Sequence, residues 1–212
     1  MSDPRPLLHR TLDQMGGVVD AVTDLDAPSP CDGWDVRTLI NHVVAVHHKL
    51  LRVTQGTALE VAHIVEVKDG DHGGELTRLR ADIAEAWSDD ALLDREMAVP
   101  WGRVPGRGVV VGFTQELVVH AWDIAVVENR TDDLDPQLAE TLLGPIREII
   151  PAEGREHIPF GEVVEVPDDA DPYDRLVGWL GRDPGELRAA RQNRTNHALA
   201  GRSSTAGVNI VG

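Results

Sequence analysis

The sequence predicts an all-α protein: a four-helix bundle with one extra helix and a short C-terminal cover. Two patterns carry that prediction. Four stretches of roughly twenty residues place apolar side chains at three- and four-residue intervals, the period of an amphipathic helix. The segments between them are dense in Pro, Gly and Asp, which end helices. The fourth stretch, about 30 Å long as a helix, matches the second and third well enough to pack antiparallel along them.

The first helix is expected from about Pro6 to Leu25, on the stripe Leu7, Leu8, Leu12, Met15, Val18, Val19, Val22 and Leu25, with Gly16 and Gly17 weakening it locally. DAPSPCDGW then reads as an ordered turn anchored by Cys31 and Trp34. Asp35 is a plausible N-cap for a second helix from Val36 to about Gln55, with Val36, Leu39, Ile40, Val43, Val46 and Leu50 inward. His42 lies beside that stripe, where a lone histidine is ordinarily a satisfied core residue. His47 and His48 stand well over 90° around the axis from it and read as surface or groove residues.

Residues 56–72 form an irregular connection ending in KDGDHGG, where Asp69, Asp71 and His72 read as turn chemistry before a cation site. A third helix is expected from about Glu75 to Leu93, with Trp87 at a packing edge. MAVPWGRVPGRGVV is broken by prolines and glycines and predicts an extended loop or short hairpin across the bundle. The fourth helix follows from about Val109 to Asn129, and Asp135-Pro136 supplies an N-cap and first position for a fifth helix through Ile150. The domain boundaries are therefore 1–150 for the bundle, 151–184 for a packed cover with a strand-like VVEV and a helix from about Pro172 to Leu180, and 185–212 for a polar tail with little to bury.

With 212 residues, one core of respectable size is expected. A net charge of −16 disfavours nucleic acid and anionic membranes, which require clustered Lys and Arg. The single cysteine, Cys31, excludes an internal disulfide and a multi-cysteine zinc site, and its surroundings suit a small structural anchor. The opening MSDPRPLLHR lacks the order of a signal peptide, which gives a cytoplasmic expectation. Nucleotide-binding glycine motifs and the nucleophile-elbow pattern of serine hydrolases are absent from the sequence.

The chemistry concentrates in GFTQELVVHAWD, residues 112–123. Glu116 and His120 are four residues apart, so at about 100° per residue they project within about 40° of one another, on a stripe that includes Phe113, Leu117, Ile124 and Val127. A carboxylate is heading into a core. Burying it unpaired costs several kcal/mol, and no Lys or Arg lies on that stripe. Two readings follow: a divalent metal held by Glu116, His120 and a third ligand from elsewhere, or a structural Glu–His pair.

PCDGWDVRTLINHVV, FTQELVVHAWDIA and PFGEVVEVPDDADPYDRLVGWLGRDP, taken together and in this order, resemble the actinobacterial metal-binding proteins related to mycothiol-dependent maleylpyruvate isomerase, of the DinB-like superfamily. The resemblance spans residues 5–184. It implies a DinB-like bundle with a divalent metal, usually zinc, held by His42, Glu116 and His120; nickel and iron can take the same ligands. Asp123, Asn41 and Gln115 are candidates to orient the histidines. The resemblance further implies that the open metal position receives the sulfur of mycothiol, which attacks an electrophilic substrate. Arg103 and Arg107, on the loop expected to cover the metal, are the candidate residues for the sugar-linked thiol. The isomerase carries a larger C-terminal domain than this chain has, which separates the two in substrate. The expected function is thus a metal-dependent thiol transferase or isomerase acting on small molecules. The alternatives are a non-catalytic metal-binding protein, serving as sensor, carrier or interaction module, and a metal-activated hydrolase. Exposed bundle faces leave room for a homodimer.

Overall fold

A computed structural model describes residues 3–193. Four helices build the bundle: α1 (Arg5–Asp20), α2 (Val36–Arg52), α3 (His72–Ala86) and α4 (Gly106–Glu128). A two-stranded antiparallel hairpin, β1 (Glu96–Val99) and β2 (Gly102–Pro105), joins α3 to α4. It is the short hairpin that the Pro- and Gly-broken segment predicts.

Side-chain pairs give the helix directions. His72 Nε2 is 3.1 Å from Asn41 Oδ1 at one end, and Trp87 Nε1 donates to the Leu50 carbonyl at 2.9 Å at the other, so α2 and α3 run parallel. The chain between them, residues 53–71, is consequently a crossover along the outside of the bundle. Asp13 with Arg80, and Arg5 with the Trp87 carbonyl at 3.1 Å, set α1 antiparallel to α3. Thr23 Oγ1 donates to Glu128 Oε2 at 2.7 Å, which places α1 and α4 parallel. α4 lies antiparallel to α2 and α3, as its length predicts.

α2 and α3 begin where the sequence offers an acceptor, whereas α1 and α4 follow Pro4 and Pro105 with no side-chain cap. Asp35 accepts from the Thr38 N–H at 2.7 Å, and Asp71 from the Gly74 N–H at 3.0 Å. The turn reading of DGDHGG therefore holds for Asp71, while His72 is buried against Asn41. α1 stops at Asp20, five residues before the expected end, and α3 spans the turn from His72 rather than reaching Leu93. Trp87, expected at an edge, is fully buried, because its indole N–H is satisfied by the Leu50 carbonyl. His47 is also buried, its Nδ1 2.8 Å from the Val43 carbonyl, which corrects its reading as a groove residue.

α4 is long and apolar enough to cross a membrane, yet 72% of its most apolar window is inside the protein, so it is the bundle's core helix. Leu117, Phe113 and Trp122 share one buried core there with Ile40, Leu39 and Leu8. α5 (Pro136–Ile149) and α6 (Pro172–Trp179) close the base of this core. VVEV is extended but pairs with no strand; instead the Val164 N–H donates to the Gly178 carbonyl at 2.9 Å. Asp171-Pro172 starts α6 just as Asp135-Pro136 starts α5. Asp183-Pro184 repeats the pattern: Asp183 accepts from the Glu186 N–H at 2.9 Å, and residues 184–193 are helical, where the sequence reading begins the tail. Arg188 bonds Asp174 at 2.6 Å and Leu187 packs on the core, which explains why the helix docks. The remainder of the expected tail, 194–212, lies outside the described residues.

Candidate functional site

α2 and α4 face each other across the core, and each contributes polar side chains to one spot on that interface. His42 is buried, whereas Glu116 and His120 are partly buried. Ligand atoms of these three lie within 4.8 Å of one another. His42 Nε2 is 3.2 Å from Glu116 Oε1, and the His42 and His120 rings meet edge to face with centroids 5.1 Å apart. The residues that the resemblance singles out are thus brought together.

The outer nitrogens are already engaged. His42 Nδ1 is 2.8 Å from the His63 carbonyl, which only accepts, so that nitrogen carries the proton. In a neutral imidazole Nε2 is then a lone pair, and it faces a carboxylate oxygen that is also an acceptor. A proton, on the ring or on the carboxyl, or a cation between the two satisfies that contact. His120 Nδ1 is 3.0 Å from Asp123 Oδ2, which likewise turns its other nitrogen outward from the pair. The 3.2 Å separation is close to the edge of a tetrahedron, about 3.3 Å, built on metal–ligand distances of about 2.0–2.1 Å. The donor set and its orientation fit a divalent metal.

Asp123 is fully buried. Burial alone would raise its pKa, but Arg182 and the His120 hydrogen bond overcome that and hold it well below the usual carboxylate range. Arg182 grips it with both arms, Nε to Oδ1 at 2.9 Å and a terminal nitrogen to Oδ2 at 2.8 Å. Burial opposes ionisation of Glu116 as well, and the His42 hydrogen bond with the charges of His120, His42 and Lys49 brings it below the ordinary value. Cys31 Sγ sits 3.8 Å from Asp123 Oδ2, and burial beside that carboxylate pushes its thiol up to about 12. That environment matches a structural anchor. Trp34 stacks obliquely on both His42 and His63, with centroids at 5.1 and 5.5 Å.

Of the expected orienting residues, Asp123 takes that role and Asn41 bonds His72 instead. Arg107 is not where the loop reading put it. It lies in the first turns of α4 and donates to Asp94 at 2.6 Å; nine residues before Glu116, it points to the opposite face of the helix, about 13 Å away along the axis. Arg103 sits exposed on β2 and makes no side-chain hydrogen bond among the described residues. Trp101, at the hairpin turn, reaches α4 edge to face with Phe113 at 5.1 Å. Sequence reasoning missed Arg182 and the His63 carbonyl. The first had a signal in the GRDP turn; the second, a backbone atom, had none.

A family model described as the mycothiol maleylpyruvate isomerase N-terminal domain matches residues 7–125. The chain belongs to that family. His42, Glu116, His120 and Asp123 all fall within the matched span, and Arg182 lies beyond it. Two uncharacterized proteins of Mycobacterium tuberculosis, from two strains, are similar to this member of the family: each is 28% identical over 184 residues, covering 85% of this chain and 98% of its own length. No solved structure matches the chain significantly.

Proposed function

We propose that the chain is a metal-dependent enzyme that uses a low-molecular-weight thiol of the mycothiol type, as nucleophile or cofactor, in a thiol transfer or an isomerisation. The observation that supports this reading is the convergence of His42 Nε2, Glu116 and His120 with their outer hydrogen bonds already made. Two nitrogens and a carboxylate suit zinc and leave a position open, with nickel and ferrous iron as the other candidates. The bound metal would lower the pKa of an incoming thiol, so that it reacts as thiolate near neutral pH.

The rest is the work of the chain. The His63 carbonyl keeps the His42 lone pair turned inward, and Asp123 does the same for His120. Arg182 keeps Asp123 ionised. Trp34 covers one side of His42. Cys31, with its raised thiol, is a poor nucleophile, so the reacting sulfur comes from a small molecule. A reduced thiol pool places that reaction in the cytoplasm.

The test is turnover of maleylpyruvate and of an aryl halide by zinc-loaded protein with mycothiol, glutathione or cysteine. Thiol-dependent turnover abolished by Glu116→Ala supports the proposal. No turnover with any thiol, while one metal per chain is bound, counts against it and favours a non-catalytic metal protein.

A further inference from the structure

Lys49 is the charged group that the site does not yet use. It lies seven residues after His42 on α2, two turns along and about 20° around the axis, so it shares the face that meets α4. The residue is 9% exposed, an unusual burial for a lysine without a carboxylate on it. Among the described residues its ammonium has no hydrogen bond and no ion pair, and it is not among the buried nitrogens sealed from solvent. Glu116 and His63 both respond to its charge, in keeping with that placement. A lysine with a buried stem and an unclaimed head at the edge of a ligand set is placed to meet something that arrives.

The walls nearby are aromatic. Trp101 lies against α4 at Gly112, one turn before Glu116 on the same face; a Cβ on Gly112 would meet the indole at 2.7 Å, so only glycine lets the ring lie this close. Trp34 stands beside His42 and His63. A single ammonium on this face balances a single negative charge, whereas a doubly charged phosphate would meet repulsion from Glu116 and from a chain of net charge −16.

We propose that Lys49 is the anion-recognition residue of this site and that its substrate carries a carboxylate on an apolar or aromatic body. The assignment rests on the metal-site reading for its chemistry but not for its test. Benzoate and its neutral isostere benzamide are titrated against the protein, zinc-loaded and zinc-free, alongside Lys49→Met, Lys49→Arg and inorganic phosphate. Wild type binds benzoate more tightly than benzamide by about 10- to 100-fold, the worth of a charged hydrogen bond. Lys49→Met loses that preference while its zinc stoichiometry stays unchanged, and Lys49→Arg keeps most of it.

Equal benzoate binding by wild type and Lys49→Met overturns the proposal, as does a wild type that fails to distinguish the two probes. Phosphate bound through Lys49 in place of benzoate overturns the carboxylate assignment. If wild type takes up no zinc, the proposed function falls, and the zinc-free titrations still decide Lys49.

Discussion

Arg182→Met removes the guanidinium that holds Asp123 with two bonds of 2.9 and 2.8 Å, and it leaves a fully buried carboxylate with only His120 and the weak Cys31 contact. Breaking a buried pair from one side costs about 3–5 kcal/mol, because the surviving charge stays desolvated. For a chain of this length each kcal/mol moves Tm by about 2–4 °C, so the variant should melt roughly 6–20 °C lower at pH 7. The sign of the pH dependence is a second check. Wild-type Asp123 is held below its ordinary value, so its contribution is present above about pH 4 and lost as pH falls below that. In the variant burial acts unopposed by Arg182 and raises Asp123, which takes up a proton at higher pH. The gap in stability between the two proteins therefore narrows as the solution is acidified. Adding Asp123→Asn to Arg182→Met should recover much of the loss, since the uncompensated charge is gone. Thermal melts of wild type, Arg182→Met, Asp123→Asn and the double variant across pH are the assay. A Tm change under about 2 °C, or strictly additive losses, would refute the pairing as the source of stability.

Three further outcomes follow from the same geometry. Gly181 has φ +87°, and a Cβ there would meet the Gly161 backbone at 2.6 Å; Gly181→Ala should cost about 1–3 kcal/mol and displace Arg182, whereas an unchanged melt would show that the turn does not aim that side chain. Cys31, with its thiol pushed up to about 12, should resist iodoacetamide at pH 8 in folded protein and react on unfolding, as mass spectrometry would register; rapid labelling of native protein contradicts its assignment as an anchor. Burial lowers His47 to about 4, so the unfolded chain binds its proton first as pH falls from 6.5; stability is full above 6.5 and drops by up to about 3 kcal/mol by pH 4. His47→Gln should flatten that slope in urea titrations, and an unaltered slope would assign it to other groups.

The bundle was legible because its helices obey one period and its turns carry Asp caps. Glu116 and His120 stood out as a carboxylate and an imidazole on an apolar stripe, but nothing in that spacing named His42; the family resemblance did. Asp123 was within reach of reading because it is three residues from His120 on the same helix. For Arg182 the GRDP turn signalled a helix end but not a partner, since its approach to Asp123 depends on the left-handed Gly181 and on packing of the whole cover. No cation lies on the Glu116 stripe of α4, while Lys49, with no ion pair among the described residues, comes from α2. His47 was misread because twelve of the seventeen α2 residues are buried: the crossover and α3 cover faces that a helical wheel leaves open.

The most direct measurement is elemental analysis of purified protein beside His42→Ala and Glu116→Ala, with melts before and after chelation. The account predicts close to one divalent metal per chain in wild type and loss of it in both variants. Occupancy at about a thousand times the dissociation constant adds roughly 4 kcal/mol, so chelation should lower the wild-type melt visibly and leave the variants unmoved. Metal-free wild-type protein, unmoved by added zinc, nickel or chelator, would contradict the account and reduce His42, Glu116 and His120 to a structural hydrogen-bonded cluster.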